Sequence, residues 1–294
     1  MAPRSGFLRQ RSEFAILDRV KLRTALQLGR VANLPTVVTN VLAAIVLAGG
    51  HPRAITIVLA CIAMSLMYLA GAFLNDAFDR DLDRVDQPTR PIPSGAASAG
   101  AVFDAGFAML GGGILLVIVL ALATGAGFKP IVSVLALGSL IVFYNADHKD
   151  NALAPIVIGL CRAAVYTTIT LLVRPDICIE VLTGCLVLVA YLVGQSYVAR
   201  GEMASLWPLG LLGVPFVIAW PQGSAAFVIY AAYLAWVLRT LFVTRGLSTK
   251  AASLVAGISL LDALLVANLG RADLAIIALV AFAATTLLQR VIPR

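Results

Sequence analysis

Ten stretches of nearly unbroken apolar sequence leave this chain few ways to fold. They run at about 34–50, 54–74, 101–123, 129–146, 152–173, 178–198, 206–220, 224–243, 251–269 and 272–291. Most are close to the ~20 residues that carry an α-helix across the hydrocarbon of a bilayer. A lone strand there would leave its backbone N–H and C=O groups unpaired, so each run is expected to be helical. Breakers stand between the runs, among them Gly49-Gly50-His51-Pro52, Lys129-Pro130, Arg174-Pro175 and Pro221-Gln222. The expectation is an all-α, polytopic membrane bundle of nine or ten transmembrane helices. The run at 251–269 is its weakest member, because it carries Asp262 and Asn268. Were it interfacial, nine helices would remain.

Of the 294 residues 61% are hydrophobic and 13% charged, against about 45–50% and about 25% in soluble domains. That balance excludes a soluble enzyme, a disordered chain and a nucleic-acid binder, and the net charge of +7 becomes a matter of topology. With the N-terminus in the cytoplasm and ten crossings, 17 of the 22 Lys and Arg fall on the cytoplasmic side, which is the positive-inside pattern. Residues 1–33 hold Arg4, Arg9, Arg11, Arg19, Lys21, Arg23 and Arg30 and no apolar run with a cleavage site. They read as a basic arm on the membrane surface, followed by one transmembrane domain over 34–292. The expected location is the inner membrane of a bacterial cell. Cys61, Cys161, Cys178 and Cys185 show no CxxC spacing and read as small buried residues.

Only one connection is long and polar, residues 75–100, on the cytoplasmic side. It opens Asn75-Asp76-Ala77-Phe78-Asp79-Arg80-Asp81-Leu82-Asp83-Arg84. If the second helix continues, Asp76, Asp79 and Asp83 lie within about 60° of one another on one face. Asn75 falls at the edge of that face, and Asp81 and Asp86 point elsewhere. Converging carboxylates repel unless a cation sits among them. Hard oxygens suit Mg²⁺, which takes one or two carboxylates, keeps waters and binds substrate phosphates. The residues therefore read as a Mg²⁺-bridged diphosphate site at the mouth of an apolar bundle. Arg80, Arg84, Arg90 and Lys149 are candidates to offset the remaining phosphate charge. A bland alternative is an acidic, solvated helix end. In Thr89-Arg90-Pro91-Ile92-Pro93-Ser94-Gly95 two prolines stiffen the backbone, which would hold Arg90 over the site.

The pattern N-D-x-x-D-x-x-x-D at Asn75, Asp76, Asp79 and Asp83, followed by R-P-I-P-S-G from Arg90, resembles the UbiA superfamily of intramembrane prenyltransferases. The spacing from Asp83 to Arg90 looks more like the chlorophyll-synthase and geranylgeranylglyceryl-phosphate branches than the 4-hydroxybenzoate branch. The resemblance implies a helical bundle whose central cavity opens sideways to lipid. It further implies that the first motif binds Mg²⁺ and an isoprenyl diphosphate, whose departure leaves an allylic cation to alkylate a hydrophobic or aromatic acceptor. Tyr144 and Lys149, ahead of Pro155 and Gly159, are similar to a Tyr-and-Lys segment of that superfamily.

The superfamily's second aspartate motif is missing. Its place reads Gln195-Ser196-Tyr197-Val198-Ala199-Arg200-Gly201-Glu202, with Glu202 the only acid. Arg200 could replace a metal's charge, or Asp147 and Asp150 could contribute instead. Three readings stay open: a prenyltransferase with altered diphosphate binding, a UbiA-type terpene cyclase, and a non-catalytic relative that binds or exports a lipid or small molecule. The EboC-like branch is similar in lacking a strong second motif.

Arg162, inside the fifth run, is costly unless it faces the bundle interior. It reads either as a substrate contact or as a structural partner of Asp262. Tyr68 and Tyr166 are candidates to stabilise a carbocation, whereas Tyr144, Tyr197 and Trp207 suit interfacial anchoring. His148 reads as a surface loop residue. Gly111-Gly112-Gly113 reads as close helix packing.

Overall fold

The structure, a computed structural model, describes residues 22–148, 151–201 and 207–292. Every regular element among them is helical: α1 (Leu22–Leu28), a 3₁₀ turn (Val31–Asn33), α2 (Leu34–Leu47), α3 (Ala54–Phe78), α4 (Arg80–Asp86), α5 (Ala99–Thr124) and α6 (Lys129–Ala146). There follow α7 (Ala154–Val173), α8 (Ile179–Arg200), α9 (Trp207–Ile218), α10 (Ser224–Phe242), α11 (Leu247–Asn268) and α12 (Ala272–Val291). Local sequence sets the ends. Proline occupies the first turn of α2, α6 and α7, where its missing N–H costs nothing. Ser98 Oγ accepts from Ala101 N to cap α5, and Gly125 and Gly201 close α5 and α8 in the left-handed conformation.

Among the described residues eight helices are long and apolar enough to cross a membrane, and nine if α1 and α2, bent by 55° at residues 29–30, form one span. The protein is an integral, multi-pass membrane protein. The apolar run at 206–220 yields the 12-residue α9, which contains Pro215. At about 18 Å it is too short to cross a ~30 Å core.

The expectation that 251–269 is the weakest span is overturned. That run forms α11, the most enclosed of the spans at 78% buried. It packs against α2, α8, α10 and α12. Asp262 cast doubt on this span as a lone charge in hydrocarbon. It is 0% exposed, and four donor contacts solvate it inside the protein. Tyr166 Oη donates to its Oδ1 at 2.6 Å, Asn40 Nδ2 lies 3.0 and 2.8 Å from its two oxygens, and Thr39 Oγ1 donates to Oδ2.

The glycine run in α5 is a packing device at one position. A Cβ on Gly113 would meet Met67 Cγ of α3 at 2.6 Å and Ala63 O at 3.0 Å, while Gly111 has nothing within 4 Å. Hydrogen bonds between connections mark the bundle end opposite Asp76. Lys129 Nζ reaches Pro175 O at 2.7 Å and Asp176 Oδ1 at 2.8 Å, and Arg174 reaches Ala48 O at 3.2 Å.

Candidate functional site

The helix of Asn75 runs on through the aspartates with one hitch. Asp79 N donates to Asn75 O at 3.0 Å and Asp83 N to Asp79 O at 2.9 Å, so α4 continues the line of α3. The shared face turns inward: Asp76, Asp79 and Asp83 are 7%, 6% and 1% exposed. Asp81, 66% exposed at its side chain, lies outside, and both Arg80 and Arg84 approach it at 3.6 and 3.4 Å. Arg84 is 68% exposed there, so the expected contribution of Arg84 to the cluster is not where the structure places it. Arg80 also turns away, its guanidinium 5.7 Å from the Phe103 ring centroid.

Two arginines hold the buried acids. Arg90 Nη1 is 2.6 Å from Asp83 Oδ2 and 3.6 Å from Asp76 Oδ1. Its loop is pinned from below by Ile92, which packs with Leu28, Ala77 and Val102. The second arginine is Arg30, which as a basic residue of segment 1–33 was expected on the surface arm. It stands at the bend between α1 and α2, and Nη2 donates to Asp76 Oδ1 at 3.1 Å and to Asn75 Oδ1. Its φ of 45° and ψ of 42° make it the one non-glycine in the left-handed region among the described residues. Such a backbone costs about 1–2 kcal/mol and persists where tertiary contacts over-determine it. The clue in the sequence was Gly29-Arg30 directly ahead of a proline-started span.

His148 is also placed differently from the surface position expected of it. Its side chain is 14% exposed, with Nε2 3.5 Å from Asp79 Oδ2, and its ring stacks on Tyr144 at 4.9 Å. Arg200 Nη2 donates to the His148 carbonyl at 3.1 Å, so Tyr144 and Arg200 both border the aspartate cluster. Asp147 is exposed and accepts from Asn151 at 3.0 Å, apart from the cluster. Lys149, Asp150 and Glu202 lie outside the described residues.

One further side chain escaped the sequence reading. Asn145, 4% exposed, donates through Nδ2 to Gly71 O at 3.2 Å and to Ile141 O at 2.9 Å. Those two carbonyls fix the amide's orientation, and its Oδ1 is left buried without a donor. Gly71 O is also the carbonyl that Asn75 N–H meets in the helix ladder, so the orphan oxygen belongs to the Asn75 level.

Magnesium fits this set of groups. The donors are hard oxygens, Asp76 and Asp83 already share one cationic nitrogen, and an amide oxygen nearby lacks a partner. No three His, Cys, Asp or Glu among the described residues converge on a single ion, so those residues form no three-carboxylate cage. One or two carboxylates plus phosphate oxygens are what Mg²⁺ ordinarily takes.

Arg162 and the remaining tyrosines lie deeper. Arg162 is far from the diphosphate level, over the Tyr68 ring at 5.5 Å to its centroid. Tyr166 is 0% exposed, so its ring faces packed side chains, and its hydroxyl donates to Asp262. Tyr197 packs edge-on against Trp207 at 4.5 Å.

Buried acids and arginines thus stand together at one end of a polytopic, apolar helical bundle. Residues 36–292 match the UbiA prenyltransferase family, and the chain belongs to it. It is 36% identical over 124 residues to the chloroplastic chlorophyll synthase of Avena sativa, covering 40% of this chain and 32% of that one. It is 35% identical over 135 residues to the digeranylgeranylglyceryl phosphate synthase of Ignicoccus hospitalis, covering 46% and 42%. The chain spans about a third of the length of the chlorophyll synthase it matches. A solved digeranylgeranylglyceryl phosphate synthase aligns with a TM-score of 0.57 at 15% identity, over 85% of this chain and 97% of that one. A UbiA homologue from Archaeoglobus fulgidus, bound to GPP and Mg²⁺, aligns at 0.51 and 14% identity over 90% and 99%. At these identities the solved structures establish a common fold.

Proposed function

We propose that this protein transfers an isoprenyl group from a prenyl diphosphate to a lipid-soluble or aromatic acceptor within the membrane. Residues 34–292 act as one transmembrane domain behind a basic cytoplasmic arm, with the aspartate end facing the cytoplasm of a bacterial cell. The observation that carries this reading is the sharing of Arg90 between Asp76 and Asp83, with Arg30 on the same Asp76 oxygen. Alternating buried acids and cations make a rack on which a metal diphosphate exchanges partners without leaving a charge bare.

One or two at a time of Asp76, Asp79 and Asp83, with Asn75, would hold Mg²⁺, which when bound neutralises diphosphate oxygens as the leaving group gathers charge. Arg30, Arg90, Arg200 and Lys149 grip the diphosphate, and Tyr144 flanks it. The allylic C–O bond breaks with its electron pair leaving on the diphosphate. The acceptor's nucleophile then supplies a pair to the allylic carbon and gives up its proton. The apolar bundle below keeps water from intercepting the cation.

The test is transfer from labelled geranylgeranyl or farnesyl diphosphate by purified protein in the presence of aromatic and glyceryl-lipid acceptors. Asp76→Ala and Asp79→Ala are expected to abolish magnesium-dependent turnover. Full turnover in either variant refutes the site. One observation favours a second reading, a prenyl-lipid binding or export component: no three acids converge on one ion among the described residues. That reading expects tight prenyl-diphosphate binding with no diphosphate release.

A further inference from the structure

Beneath the aspartates lies a cationic side chain that the diphosphate site leaves unused. Arg162 leaves α7 eight residues, about 12 Å, below its start at the aspartate end. Tyr68, whose ring it covers, lies the same eight residues below Asp76 on α3. Helices α3 and α7 share little or no backbone packing, and α2 packs against both, so these two side chains reach each other past α2. Taken as a whole residue, Arg162 is half-buried there.

Its attachments use one edge. Nη1 donates to Asn40 Oδ1 at 2.6 Å and Nη2 to Thr36 Oγ1 at 3.2 Å, both on α2. A guanidinium has five N–H donors, and no other acceptor for Arg162 occurs among the described residues. Asp262 does not take them up. Its oxygens are engaged by Tyr166, Thr39 and Asn40, and it reaches Arg162 only through the Asn40 amide. Asn40 thus works as a relay: it gives its N–H groups to Asp262 and its oxygen to Arg162. Tyr68 is steadied in turn, since Asn33 Nδ2 donates to its hydroxyl at 3.1 Å and Gln289 Nε2 donates to Asn33 Oδ1 at 2.9 Å. The result is a fixed cation with spare donors, presented on an aromatic platform at membrane depth. A charged side chain at that depth is costly and marks a substrate path when it faces the interior.

We propose that Arg162 binds an oxyanion carried by the acceptor, a carboxylate or a phosphate monoester, and so selects acidic acceptors for the transfer. The inference rests on the prenyl-transfer reading for the word acceptor, but the binding site itself does not require turnover. A planar fork of N–H groups matches both oxyanions in a bidentate manner. Uncharged analogues of the same shape leave those donors unpaired, and a site built to hydrogen-bond a group rejects ligands that lack it.

The experiment uses the full chain in detergent and titrates it calorimetrically with matched pairs: 4-butylbenzoate against its methyl ester, and octyl phosphate against octanol. Wild-type protein is expected to bind at least one acid about tenfold or more tightly than its neutral twin. The pair that discriminates tells carboxylate from phosphate. Arg162→Met is expected to erase the preference and Arg162→Lys to restore part of it, with affinity for a non-hydrolysable prenyl thiodiphosphate changed less than about twofold. Equal binding of both members of each pair by wild type, or no binding of either acid, overturns the proposal even if Arg162→Met fails to fold. A preference retained in a folded Arg162→Met overturns it as well. Acid preference without any prenyl transfer would leave this site standing and refute the proposed activity instead.

Discussion

Arg90 and Asp83 are locked 2.6 Å apart, and the arginine comes from a loop that the prolines and Ile92 hold in place. Asp83 is 1% exposed, so this one ion pair carries much of the charge balance of the cluster. Removing the arginine while the acid stays buried is the informative perturbation. Arg90→Ala is expected to lower stability by about 1–3 kcal/mol, the cost of a buried group left short of partners, reduced because Arg90 is itself 26% exposed at its side chain. Magnesium should return part of that loss, since a divalent ion can occupy the vacated position. Thermal unfolding of wild type and variant with and without Mg²⁺ checks it; an identical response to Mg²⁺ in both would refute the exchange of arginine for metal.

Arg30 separates backbone strain from side-chain function. Arg30→Gly relieves a left-handed residue, worth about 1 kcal/mol, while losing a contact to Asp76 from a side chain 37% exposed. Stability should therefore change little. Turnover of prenyl diphosphate should fall about 10²-fold, the usual loss when a donor to developing negative charge is deleted. Thermal unfolding and single-turnover rates measured on one preparation separate the two effects.

The polar socket of α11 yields a graded pair of variants. Tyr166→Phe removes one of several donors to Asp262 and should cost about 0.6–1.7 kcal/mol, the range for hydrogen bonds between membrane helices. Asp262→Leu strands Asn40 and, behind it, Arg162, and should cost about 3 kcal/mol or more. Unfolding in a detergent series reads both, and equal costs would contradict the described network.

Glycine packing in α5 makes a sharper contrast still. Gly113→Val drives a side chain into Met67 and the Ala63 carbonyl, an overpacking of about 1–3 kcal/mol. Gly111→Ala, two residues away, meets nothing within 4 Å and should be neutral. Comparing their unfolding midpoints tests whether α3 and α5 approach as closely as described.

Much of this architecture was legible from apolar runs and their breakers, because hydrocarbon admits so few backbone solutions. What misled was charge read without its partners. Asp262 looked like a reason to lift α11 out of the membrane, and its solvating groups at Thr39, Asn40 and Tyr166 lie 223, 222 and 96 residues away. Arg30 looked like one more basic residue of an arm, since nothing local announces that a bend turns it onto Asp76. His148 failed for the same reason: a short polar loop reads as exposed until Tyr144 is seen stacked on it. The Asp76–Asp79–Asp83 face, by contrast, followed from helical periodicity alone. Arg84 shows the limit of that logic, because proximity in sequence did not decide which face of a one-turn-longer helix it joins.

The buried aspartate of α11 has a consequence for the order in which the protein is assembled. A helix bearing a carboxylate enters lipid grudgingly on its own, yet every donor to Asp262 sits on α2 or α7, both synthesised well before it. The penultimate helix therefore comes to a cradle whose donors are already made, and its insertion resembles a ligand-binding event within the nascent chain. Truncation before residue 247 would leave that cradle empty, with Arg162 and Asn40 facing each other and no acid to balance them.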